Sequence, residues 1–264
     1  MSFFAKNTKE SKLKALAKKK NSERLEYLLT DNVSFEVTEA FRNLKSSITV
    51  SMTKKQNGEG TVLVMTSALP EDGKTTVSVN LSLMLALSEA KVILVDADVR
   101  KGRVAKFFRR RSVPGLADYL SGQADMHDII VQSKKNENLS FIPCGTHSPR
   151  PYELLESEEM KALIDQLKKE YDYVIIDTPP LLLVSDSLAI TSHADGVVVV
   201  CRHEVSYLND LNKVFNKLTF AKANLLGVVI NEYDSREKLT LRADRYKYYS
   251  YCYDSTMEVE QKKE

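Results

Sequence analysis

The sequence predicts an α/β fold with a mostly parallel central sheet flanked by helices. Three observations predict it. Six short runs of β-branched and aliphatic residues recur along the chain, and they look like strands buried on both faces. Helical patterns alternate with them, as parallel strands joined by crossovers require. With 264 residues and 43% hydrophobic content, the chain can bury such a sheet under two layers of helix.

Residues 1–34 form a basic leading segment. The stretch "AKNTKESKLKALAKKKNSER" (5–24) carries lysine on every side and no core-facing stripe, so it reads as a solvated charge run or as a contact for an acidic membrane surface or partner. An amphipathic helix is expected next, over 35–50, where Val37, Phe41, Leu44 and Ile48 recur at helical spacing. Glu39, Arg42 and Lys45 lie between them on a charged outer face. Gly58 and Gly60 then supply a loop. The expected strands are "TVLVMT" (61–66), "KVILVD" (91–96), "LSFI" (139–142), "DYVIID" (172–177), "GVVVVC" (196–201) and "LLGVVI" (225–230). Helical patterns fall at 75–89, 152–169 and 206–222. The domain these elements build is expected to span 35–232. From 233 to 264 the apolar periodicity stops and charge rises, so this tail reads as mobile.

Bulk properties narrow the function. A formal net charge of +2 gives no support to a general nucleic-acid binder. The three cysteines are widely spaced and include no CxxC pair, which points to a reducing compartment. No signal-peptide pattern opens the chain, and no apolar run approaches the roughly 18 residues that span a bilayer. A cytoplasmic protein is expected, meeting a membrane through a partner or a surface contact.

Three segments carry chemistry. "SALPEDGKTT" (67–76) follows the first strand and opens a helix, and Ala68 to Thr75 fits the phosphate-binding loop pattern [AG]-x-x-x-x-G-K-[ST]. Backbone N–H groups there hold phosphate, Lys74 neutralises it and Thr75 offers a hydroxyl to Mg²⁺. "VILVDADVR" (92–100) ends a strand with Asp96 and Asp98, whose spacing in an extended chain points both the same way. "YVIIDTPP" (173–180) ends another strand with Asp177, an arrangement that holds Mg²⁺ directly or through water. All three converge on the carboxyl edge of the sheet, where open α/β folds bind ligands. Arg100 and Arg103, beside the acids, read either as phosphate or acidic-partner contacts or as solvated surface. A fourth feature stands apart: "YKYYSYCYDS" (246–255) places Tyr246, Tyr248, Tyr249, Tyr251 and Tyr253 within eight positions of the tail.

In this combination the chain resembles the bacterial protein-tyrosine kinases, P-loop enzymes of capsular and exopolysaccharide export. "SALPEDGKTT", "VILVDADVRKGR" and "YDYVIIDTPP" are similar to their Walker A, A′ and B motifs, and the likeness extends to "EAFRNLKSSI", "SPRPYELLES" and the tyrosine cluster. The resemblance implies a P-loop NTPase fold of the deviant Walker A type and ATP with Mg²⁺ as cofactors. It implies that Asp72, Gly73, Lys74, Thr75 and Thr76 grip the nucleotide's phosphates, with Thr75, Asp98 and Asp177 organising the metal. It makes Asp96 the base for the attacking phenol and the five tail tyrosines the phosphoacceptors, served in trans. Asn231 resembles the residue that related ATPases turn to adenine, and equally suits a turn at a strand end. Glu39, Arg42 and Lys45 occupy a family spacing that joins subunits in a ring, with lysine here in place of the last arginine. Partners implied are a transmembrane activator that docks through its cytoplasmic segment and tyrosine-bearing proteins of polysaccharide synthesis. The kinase would then sit at the inner face of the membrane through the activator.

Two other readings stay open. Partitioning and positioning ATPases share much of this site but carry a second lysine five residues before the loop lysine, where this chain has Leu69. A nucleotide-binding regulatory subunit with little kinase activity would use nearly the same residues.

Overall fold

The computed structural model describes residues 29, 33–52 and 58–233. The basic leading segment, the tail beyond Tyr233 and the tyrosine cluster lie outside the described residues. The first helix, α1 (Phe35–Ser51), precedes β1 (Thr61–Ser67), α2 (Lys74–Ala86) and β2 (Val92–Asp96). Three short helices follow, α3 (Val104–Phe107), α4 (Leu116–Leu120) and α5 (Met126–Ile129). Then come β3 (Val131–Gln132), β4 (Leu139–Ile142), α6 (Pro151–Leu155), α7 (Glu158–Glu170) and β5 (Tyr173–Asp177). The order closes with α8 (Asp186–Thr191), β6 (Gly196–Arg202), α9 (Leu208–Phe220) and β7 (Leu225–Asn231).

The seven strands lie in the order β3-β4-β2-β5-β1-β6-β7, and every pairing is parallel except that of β3 with β4. This is the mostly parallel α/β architecture that the alternating strands and helices predict, and it is of the P-loop NTPase-like type that the family resemblance implies. All six expected strands form, within a residue of their expected ends. Both faces of the sheet are covered. Residues such as Val62, Val64, Ile93 and Ile176 meet α7 and α9 on one face, and Leu63, Met65, Leu94 and Ile175 meet α2 and α1 on the other. Helix α2 is buried along most of its length because it lies between the sheet and α1.

Three expectations change. Strand β7 is half exposed, not buried on both faces, with Val228 and Ile230 open to solvent, because it forms the edge of the sheet. The helix expected over 152–169 is two helices. Ser157 interrupts it, its Oγ accepting a hydrogen bond from the Met160 N–H at 3.2 Å and so starting α7 afresh. Glu158 and Glu159 in the first turn and Lys168 and Lys169 in the last suit the helix dipole of α7. Strand β3 was too short to announce itself by alternation.

Candidate active site

Strands β2 and β5 end at the same height, and β1 runs two residues beyond them. Asp96 on β2 and Asp177 on β5 are direct neighbours across the parallel ladder, and Asp177 also aligns with Met65, two residues before β1 ends. In-register partners in a parallel sheet project to the same face, here the face covered by α2. The loop between β1 and α2 therefore delivers Lys74 above two buried carboxylates.

That loop is held shut from within. Asp72 is buried; its Oδ2 accepts from the Leu69 N–H at 3.0 Å and its Oδ1 from the Ser206 hydroxyl at 2.8 Å. Asn231, at the end of β7, donates through Nδ2 to the Asp72 carbonyl at 3.1 Å. Gly73 follows in the left-handed region at φ 89°, and a Cβ there would collide with Asn231 Nδ2. The glycine is required twice, by its backbone angle and by its neighbour. Gly73→Ala is expected to lower affinity for a nucleoside triphosphate by about tenfold or more, read by titration calorimetry. Its thermal midpoint should fall as well.

Lys74 Nζ lies 3.4 Å from Asp177 Oδ2, 3.7 Å from Asp98 Oδ2 and 3.3 Å from the Thr75 hydroxyl. The Thr75 hydroxyl donates to Asp177 Oδ2 at 2.6 Å, and that of Ser78, one helical turn on, donates to Oδ1 at 3.1 Å. Thr76 is half-buried in the first turn of α2. Asp96 is fully buried; its Oδ2 accepts from the Val104 N–H at 2.9 Å, while its Oδ1 has no hydrogen-bond partner. Burial first, and then the charge of Asp177, push the Asp96 carboxyl up to about 8. Asp177 is also raised by burial, against the pull of Lys74 and Thr75. Asp98, beyond the strand end, accepts from the Lys101 N–H at 3.0 Å.

Three carboxylates, one ammonium and two hydroxyls thus share a small volume. The donors are all hard oxygens, and an orphaned buried carboxylate oxygen faces no protein partner, so the set fits Mg²⁺ better than a soft metal.

The structure brings Lys74, Thr75, Asp96, Asp98 and Asp177 together, with Asp72, Gly73 and Asn231 as the frame. Glu39 and Arg42 pair with each other along α1, and Lys45 Nζ donates to the Ser88 hydroxyl at 2.8 Å, away from this site. The two flanking arginines are engaged within the fold. Arg100 makes a two-pronged bond to the buried Asp186, at 2.6 and 3.2 Å, and Arg103 pairs with Glu71 of the phosphate loop at 3.3 Å. Three contributors escape sequence reasoning: Ser206, which locks Asp72; Asp186, which anchors Arg100; and Ser78. For Ser78 a signal existed, since it lies four residues beyond Lys74 on the same helix.

Residues 71–228 match the AAA domain family. The tyrosine-protein kinase ptk of Acinetobacter johnsonii is 30% identical over 223 residues, covering 84% of this chain and 30% of its own length. Among solved structures, the kinase domain of Escherichia coli tyrosine kinase ETK superposes with a TM-score of 0.73 at 30% identity, covering 79% of this chain and 82% of that one. The Pyrococcus furiosus cell division ATPase MinD shares the fold at a lower TM-score of 0.57 and 28% identity, covering 66% of this chain and 73% of that one. The chain spans about 30% of the length of the curated relatives it matches. No described helix is long and apolar enough to cross a membrane. Sequence identity and fold agree on one assignment: the chain belongs to the bacterial protein-tyrosine kinases, within the AAA domain family.

Proposed function

We propose that the chain is an ATP-dependent protein-tyrosine kinase that phosphorylates its own C-terminal tyrosines in trans and so regulates capsular or exopolysaccharide synthesis and export. The observation that carries this reading is the placement of Lys74 between Asp98 and Asp177 with the buried, part-orphaned Asp96 beside them. Phosphoryl transfer asks a protein mainly for positioning and charge neutralisation, and this constellation offers both. The phosphate loop and the N-terminus of α2 present N–H groups to the nucleotide, and Lys74 leaves its carboxylate partners for the phosphates. Thr75, Asp98 and Asp177 would hold the metal, directly or through water. Mg²⁺ bound there would neutralise phosphate charge and offset that of the carboxylates. Asp96 then accepts the proton of the attacking tyrosine, whose hydroxyl is otherwise a weak nucleophile.

Leu69 supports transfer over a switch function. In place of a second lysine the chain has an apolar side chain, which packs against the core formed with α7 and α9. The fold alone does not discriminate, since MinD shares it.

A homo-oligomeric ring, assembled through Glu39, Arg42 and Lys45, would bring one subunit's tail to its neighbour's site. A transmembrane activator would hold the kinase at the inner face of the membrane through its cytoplasmic segment. Each phosphate adds about −1.5 to −2 charges, which would loosen such a ring. Native mass spectrometry should show smaller assemblies after phosphorylation; unchanged oligomers would reject this step.

Replacing Tyr246, Tyr248, Tyr249, Tyr251 and Tyr253 together with phenylalanine is expected to remove most phosphotyrosine formed with MgATP while leaving ATP affinity unchanged. Immunoblotting and calorimetry on the same preparation test it. Undiminished phosphotyrosine in the variant would show that the acceptors lie elsewhere.

A further inference from the structure

Between Arg100 and Arg111 the sequence holds seven cations and no acid. Arg100 and Arg103 are accounted for by Asp186 and Glu71. The side chains of Lys101, Lys106, Arg109, Arg110 and Arg111 are exposed, and none has an acidic partner among the described residues. A chain of net charge +2 thus concentrates five uncompensated cations in eleven consecutive positions. Solvation alone does not account for how firmly they are mounted.

The backbone that bears them is fixed. Val104, Ala105 and Phe107 are buried, and Phe108 stacks on Phe141 of β4 with ring centroids 4.5 Å apart. Arg109 takes the left-handed conformation at φ 51° just past α3, and the Arg110 N–H returns to the Ala105 carbonyl at 2.9 Å. The Ser112 carbonyl accepts from the Gly145 N–H at 2.9 Å, beyond the carboxyl end of β4. The cations therefore ride the same sheet edge as the active site. Strand β4 neighbours β2, which carries Asp96, and lies two strand spacings, about 10 Å, from β5. The loop begins at the acids, since the Lys101 N–H is bound by Asp98.

We propose that this surface, centred on Arg109, Arg110 and Arg111, binds phosphotyrosine already formed on an acceptor segment while a further tyrosine of that segment occupies the active site. The inference rests on the kinase reading for the origin of the phosphates. In an extended chain, residues two and four apart lie about 7 and 14 Å away, which brackets the two strand spacings, about 10 Å, between β4 and β5. Tyr249, Tyr251 and Tyr253 have that spacing in sequence. Two phosphotyrosines carry about −3 to −4 charges, which matches five cations, and arginine forks suit phosphate geometry. The consequence is that a once-phosphorylated segment becomes a better substrate than a fresh one.

The test is direct binding, so it needs no phosphoryl transfer. A fluorescent peptide of residues 245–255, phosphorylated at Tyr251 and Tyr253, is titrated with the full chain in the presence of Mg-ADP, which keeps the phosphate loop filled. The phosphopeptide is expected to bind about tenfold tighter than its unmodified form at low salt, with the difference shrinking as salt rises. The variant carrying Arg109→Gln, Arg110→Gln and Arg111→Gln should lose that preference while retaining its Mg-ADP affinity, which reports on folding. Equal affinity for the two peptides overturns the proposal, as does a preference that survives the triple substitution. Binding to phosphatidylglycerol vesicles through the same arginines, without phosphopeptide binding, would overturn it in favour of a membrane surface. Phosphopeptide binding in a chain that transfers no phosphate would support this site and count against the kinase reading alone.

Discussion

Lys74→Met is expected to lower phosphotyrosine formation by about 10²- to 10³-fold, measured as the initial rate with saturating MgATP. The side chain has two jobs, and the substitution removes both. On the proposed reading it would bring positive charge to the transferring phosphate; without nucleotide, the ammonium lies 3.4 Å from Asp177 and 3.7 Å from Asp98. A structural signature should accompany the loss of rate. Asp177 is already raised by burial, and Lys74 is the largest influence lowering it. Without the lysine that carboxyl rises further. A carboxyl whose folded pKa exceeds its unfolded one takes up a proton on folding, so stability falls as pH rises through the interval between the two. The variant should therefore lose thermal stability faster than wild type from pH 5 to 8 in metal-free buffer. A variant with parallel melting curves and full activity would remove Lys74 from the site.

Asp96→Asn should move stability and activity in opposite directions. In the unfolded chain this carboxyl titrates near 3.8, and in the fold it is pushed up to about 8. Across that window folding takes up a proton, so the group's contribution to stability is fully present below about 4 and is lost as pH rises towards 8. Asparagine does not titrate, keeps an acceptor for the Val104 N–H and can donate towards Asp177. Nucleotide-free Asp96→Asn is expected to show a flatter pH profile of thermal midpoint and a gain at pH 8 on the order of 1–4 kcal/mol. Its rate of tyrosine phosphorylation should fall about 10²- to 10⁴-fold if Asp96 takes the phenol proton. A stabilised, fully active variant would confine Asp96 to a structural role.

Most of the fold was legible because its strands are buried. A central parallel strand such as Val92–Asp96 is apolar on both faces, so it stands out without alternation, and all six such runs became strands. What was missed follows the same logic. Val131–Gln132 is too short to show a pattern, and the exposure of Leu225–Asn231 depends on its place at the sheet edge, which no local run encodes. Ser157 did carry a visible signal, a serine followed by two glutamates and an apolar residue, and it splits the expected helix as a capping residue does.

The candidate site divides along a similar line. Lys74, Thr75, Asp96, Asp98 and Asp177 were readable because each sits at a strand end or loop whose geometry the sequence implies. Their supports were not. Ser206 lies 134 positions from Asp72, and Asp186 lies 86 from Arg100. Such pairs exist only once the sheet has closed, so they leave no mark on either local stretch. Arg100 and Arg103 show the converse: their charge was visible, but whether it faced phosphate or an internal acid depended on residues far along the chain.

The central claim is that this site transfers phosphate to tyrosine instead of releasing it to water. Incubating the full chain with MgATP labelled at the γ-phosphate, with and without the cytoplasmic segment of a cognate activator, and partitioning the label tests it most directly. Alkali-stable label on the protein is expected, recovered as phosphotyrosine from residues 246–253 and increased by the activator segment. Label found solely as inorganic phosphate, with nucleotide binding intact, would contradict it and make the chain an ATPase switch.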